Sequence, residues 1–197
     1  MYFSSSILLH IGVEPHLNNT FKTTLIILLS VLIVFGIPTF IFLEVYQFPK
    51  KIDVVRSAIT YNEKDPSSFK KTSIYISGTL VRPFLRQHKF VGSIRIDGID
   101  ISNKYISLDT YIFEKIKGIN SGSLLYHSPD LKKYKEEGAI WAGMIWFDDD
   151  FQDINIECFK EMKENVDFIV TADSYEAALL VQQKMRKAFG SGFMPSE

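Results

Sequence analysis

Cysteine is almost missing from this chain. Cys158 stands alone, so no disulfide within the chain staples the fold or reports an oxidising compartment, and a small packed role is expected for it. Neither sign of charge dominates either. With 22 basic residues against 23 acidic ones and no basic patch, the sequence argues against nucleic acid as a partner. Histidine is scarce: His10, His16, His88 and His127 have no metal-ligand spacing. No G-x-S-x-G, H-E-x-x-H or glycine-rich phosphate loop occurs, and the βαβ rhythm of a nucleotide-binding fold is missing. There is no internal repeat and no low-complexity tract. These gaps predict no cofactor and a chain that binds or scaffolds rather than catalyses.

What the chain does have is a long apolar run. Residues 24–43, TLIILLSVLIVFGIPTFIFL, contain no charged side chain over twenty positions. At about 1.5 Å per helical residue that run matches the ~30 Å hydrocarbon layer, where a helix satisfies its own backbone. It is too long for the apolar core of a secretory signal, and no A-x-A pattern follows it at Glu44-Val45-Tyr46-Gln47. The expected organisation is an N-terminal segment 1–20, a transmembrane helix 21–46, a linker 47–72 and a β-rich domain 73–197. Tyr61 to Lys71, rich in turn-forming residues, is the expected tether loop. Lys22 before the span against Lys50, Lys51 and Arg56 after it favours a cytoplasmic domain on charge alone, although long domains translocate largely regardless of charge.

Beyond residue 73 the apolar spacing is mostly two, which predicts strands near 73–81, 90–97, 105–116, 122–126, 139–147, 151–159 and 166–171. Segment 139–147 is apolar on both faces and reads as a central strand. Trp141 and Trp146, five positions apart, are expected on its opposite faces, both buried. Ala178, Val181, Met185 and Ala188 mark a C-terminal helix over 174–189, with Asp173 as its expected cap. The fold class expected is one transmembrane helix plus a mainly-β (α+β) domain, an antiparallel sheet or small sandwich with one helix on a face. A small closed barrel is the alternative.

Two side-chain clusters stand out. Arg82, Arg86, His88 and Lys89 crowd one loop with Phe84 and Leu85, which suits anionic lipid head groups or an acidic partner, or else a solvated loop guarding a β edge. Asp148, Asp149, Asp150 and Asp153 form the single acidic cluster. Hard cations take such oxygens, but the spacing is not that of an EF-hand, and a charged turn between strands is the expected role.

Ser77-Gly78-Thr79-Leu80, then Pro83-Phe84-Leu85-Arg86-Gln87-His88, then Phe90, Gly92, Ile94, Ile96, Asp97 and Gly98, resemble a pattern in uncharacterised small single-pass membrane-anchored proteins of Gram-positive bacteria. The resemblance implies a bacterial membrane protein whose β-rich domain is displayed outside the cytoplasm, and it supplies no catalytic residue. The long segment 1–19 departs from that pattern. The partners expected are therefore the lipid bilayer and a membrane protein complex. An envelope hydrolase using Asp residues and His88 is the alternative reading.

Overall fold

The structure, a computed structural model, describes residues 19–162 and 165–193. The expected N-terminal segment, with His10 and His16, lies outside the described residues as far as residue 18. The chain divides into two compact units after Phe42. Helix α1 (Asn19–Val45) has 27 residues, no buried side chain, and enough length and apolarity to cross a membrane. Its irregularity is a π turn at Leu32–Gly36, where the Ile37 N–H reaches the Leu32 carbonyl. Pro38 accounts for it: proline has no N–H and its ring crowds the carbonyl four residues back, so the turn before it widens.

The second unit is built on nine strands: β1 (Lys50–Asn62), β2 (Asp65–Val81), β3 (Lys89–Ile96), β4 (Ile106–Ser107), β5 (Thr110–Ile116), β6 (Ile119–His127), β7 (Ala139–Asp148), β8 (Ile154–Cys158) and β9 (Phe168–Val170). All pair antiparallel, in the order β4-β6-β5-β3-β2-β1-β9-β8-β7. Strand β6 also pairs with β7 from Ile119↔Asp148 to His127↔Ala139, which turns the sheet back on itself. Short β4 continues the β5 side of β6, and the other eight strands form a closed barrel. This corrects the expected open sheet or sandwich. Alternating apolar residues show which side chains face inward, but not that the first and last strands of a sheet meet.

The expected linker 47–72 is also corrected. It forms β1 and the start of β2, a long hairpin paired from Lys50↔Leu80 to Asn62↔Asp65. Lys50, Lys51, Asp53, Arg56 and Ser57 diluted the apolar alternation there, while Ile52 and Ala58 supply the inward face.

An eight-stranded barrel is just wide enough for side chains to fill. Ile74, Ile76, Leu80, Phe90, Ile94, Ile96, Leu124, Ile145, Phe147 and Ile156 do so. Gly78 faces Gly92 across β2 and β3, and a methyl group on Gly78 would lie 2.3 Å from the Val91 carbonyl oxygen and 2.8 Å from the Phe90 ring. The two glycines thus make room for Phe90 inside. Strand β3 pairs with β5 only at Lys89 and Phe90. Past that point side chains close the seam: Ser107 Oγ accepts the Ile94 N–H at 3.1 Å, Tyr126 Oη donates to the Ile94 carbonyl at 2.8 Å, and Ser102 Oγ accepts the Ile96 N–H at 2.9 Å. Buried backbone groups need partners, and here hydroxyls stand in for a strand.

Three short or C-terminal helices complete the unit: α2 (Asp100–Lys104), α3 (Leu131–Glu137) and α4 (Tyr175–Phe189). Ser174 rather than Asp173 caps α4, accepting the Ala177 N–H at 3.2 Å. Ala178 packs on Ile59, Tyr61, Phe168 and Val170, and Met185 on Ile119, Trp146 and Phe193. Helix α4 therefore covers the outer wall over β1, β9, β8 and the adjoining ends of β6 and β7.

Strand β7 carries a bulge. Leu124 pairs with Gly143 but Leu125 with Trp141, so Ala142 is an extra residue. An extra residue reverses the parity of everything beyond it. Trp141 and Trp146 consequently share the outer face, contrary to expectation. Trp146 is 2% exposed beneath α4, whereas Trp141 is 51% exposed.

Candidate functional site

The loop between β2 and β3 brings together every residue expected there, but not their charges. Arg82 lies 3.6 Å from the Asp149 carboxylate, and Lys89 donates to Asp109 at 2.7 Å, a bond that raises its pKa above the ordinary lysine value. Lys89 thus has a carboxylate of its own, while Arg82 shares Asp149 with Lys115. Arg86 donates through Nη2 to the Glu44 carbonyl at 2.6 Å, and the Arg82 backbone N–H donates to Gln47 O at 2.8 Å. His88 is half-buried and its carbonyl accepts the Ile112 N–H. Phe84 and Leu85 form the tip, 68% and 51% exposed.

The acidic cluster closes the barrel's mouth on the side where β1 begins. Phe151, at a φ of 51°, turns its ring inward between Phe147 and Phe90, with centroids 4.4 and 5.0 Å away. The surrounding acids hold this plug. Asp148 accepts the backbone N–H groups of Asp150 and Gln152, Asp150 pairs with Lys50 at 2.5 Å, and Asp153 pairs with Lys184. Asp149 takes Lys115 at 2.6 Å and Asn120 Nδ2 at 2.9 Å. Burial pushes the Asp149 carboxyl up, but these bonds and the charges of Lys115 and Arg82 outweigh it and hold the carboxyl below the usual range. Arg56 Nε completes the latch on the Phe151 carbonyl at 2.7 Å. Among the described residues no group of three or more His, Cys, Asp or Glu is placed to hold a metal. Burial also pushes the Cys158 thiol well above its ordinary value, away from the thiolate that reactive cysteines need.

Sequence reasoning missed a groove on the outer wall. Gln87, Asp109, Tyr111, Phe113, Ser123, Leu125 and Trp141 line an open, mostly apolar depression of about 550 Å³ across β5, β6 and β7. Tyr111, Phe113 and Leu125 alternate outward from the interior-facing Ile112, Leu124 and Tyr126, and Trp141 joins them because of the β7 bulge. Helix α4 covers Trp146 and stops short of these residues. Phe113 is 58% exposed, and the Trp141 ring stacks edge-on against Phe159 at 5.1 Å. The signal available in sequence was the run Tyr111-Ile112-Phe113, whose outward positions 111 and 113 are both aromatic.

No family model, curated protein or solved structure matches this chain. The groove's chemistry is that of a surface receiving apolar side chains: three aromatic faces and a leucine make its floor, while Gln87 and Asp109 place polar atoms at its rim.

Proposed function

We propose that this chain is a single-pass bacterial membrane protein whose barrel is a non-catalytic binding module, displayed on the extracytoplasmic side, with the outer-wall groove as its recognition surface. The observation that carries the reading is the exposed Tyr111–Phe113–Trp141 wall beside a barrel whose interior is filled. Large aromatics left facing water on one patch mark a partner surface, and Trp and Tyr dominate the energetics of such patches. The partner that fits is an apolar segment of another envelope protein, laid across β5–β7 with its polar backbone toward Gln87 and Asp109. The acids that a hydrolase would use are occupied instead: Asp149, Asp150 and Asp153 each hold a cation that secures the plug.

The test is a photoreactive amino acid placed at Phe113 in the full chain in native membranes, with exposed Val55 on β1 as the control position. A discrete adduct at 113, missing at 55 and lost on Trp141→Ser, is the expected outcome. Equal labelling at both positions, or none at 113, would overturn the groove as a binding surface.

A further inference from the structure

We infer that the Phe84–Leu85 tip enters the head-group layer of the bilayer that α1 crosses. This rests on the reading that α1 spans that bilayer, and concerns a surface other than the groove. Three observations carry it. The first is position: Arg86 holds the Glu44 carbonyl and the Arg82 N–H holds the Gln47 carbonyl, so the loop is bonded to the residues at which the apolar helix gives way to the barrel. A helix that crosses the membrane leaves it at those residues, and a loop within hydrogen-bond distance of them lies at the same depth.

The second observation is exposure. Phe84 and Leu85 are adjacent at the tip, above a buried Pro83, and both are left in water by the protein itself. On the segment to which the loop is bonded, Tyr46 and Phe48 pack edge-to-face at 4.7 Å and are 44% and 38% exposed. Apolar and aromatic side chains on both bonded segments are of the kind that interfacial anchors use. The third observation is charge. Of the cations that sequence suggested as the attraction for acidic head groups, Lys89 is paired with Asp109, Arg82 shares Asp149 with Lys115, and Arg86 is held on the Glu44 carbonyl. The contact is therefore driven by burial of apolar side chains and does not require anionic lipid.

The experiment incorporates a fluorescent amino acid singly at Leu85, Leu32 or Phe69 in the full chain, reconstituted in neutral phosphatidylcholine vesicles containing lipid-borne quenchers. Leu32 reports whether α1 spans; exposed Phe69, near the hairpin joining β1 to β2, is the water-facing control. The expected result is quenching at 85 by shallow quenchers several-fold stronger than at 69, unchanged from low to high salt. With Leu32 quenched, water-like behaviour at 85 overturns the inference while leaving the span intact. Quenching at 85 that appears only with anionic lipid and disappears in salt also overturns it, in favour of charge attraction. Protection at 85 in native membranes but not in vesicles assigns the tip to a protein instead. An unquenched Leu32 removes the spanning helix and the inference with it.

Discussion

Single residues decide how the barrel is shut. The acidic cluster was legible as a charged turn, and a turn it is, but nothing in its sequence shows that Phe151 between the acids faces inward while its neighbours collect Lys50, Arg82, Lys115 and Lys184 from four separate elements. Long-range ion pairs leave no local pattern. Asp149 makes the consequence measurable. Its folded-state carboxyl is held below the unfolded value near ~3.9, so its contribution is fully present above that pH and is lost as pH falls through the lower folded value. Asp149→Asn should cost about 1–2 kcal/mol at neutral pH, since a partly buried charge-assisted pair is worth more than an exposed one. Denaturant melts of the two proteins should converge as pH drops below about 4, because protonation removes the same interaction from the wild type. A difference that stays constant down to the lowest accessible pH would show that Asp149 acts through shape rather than charge.

Among the elements, β7 shows why a correct assignment of strand still misplaced its side chains. The period of two over 139–147 was readable, yet a single extra residue at Ala142 exchanges the two faces, and sequence offers no rule for where a bulge falls. Strand β1 was hidden for a different reason. Exposed Val55 on the outer face and Arg56 on the face of Ile52 and Ala58 break its alternation, and Arg56 serves the plug rather than solvent. Helix α4 was legible because its apolar stripe is a local feature, although its cap is Ser174, one residue after the one expected. The bulge carries a direct prediction. Trp146→Ala removes a side chain packed on Phe193 and Met185 and should cost about 3–5 kcal/mol, while Trp141→Ala, at an exposed position, should stay within about 1 kcal/mol. Chemical denaturation of both variants in the same detergent decides it, and equal large losses would mean that both indoles are core.

At the scale of the whole molecule, the chain consists of an apolar N-terminal helix and a closed barrel. Closure removes the free strand edges that an open sheet would have to protect, and side chains fill the interior. The outer wall is covered by α4 on one side and bears the aromatic groove on the other. The loop cluster was legible in sequence as a group of residues, but its partners Asp109 and Asp149 were not, because they are distant in sequence. The helix itself was the plainest signal in the chain, since twenty uncharged residues in succession need no tertiary information.

Everything proposed for the barrel depends on α1 remaining attached and embedded. The most direct measurement is alkaline carbonate extraction of membranes from cells making the full chain, followed by intact-mass analysis. The account predicts that the protein stays in the membrane pellet with residues 19–45 still present and is released only by detergent. Recovery in the carbonate-soluble fraction, or of a product beginning after the apolar run, would contradict a retained anchor and show a cleaved export signal in its place.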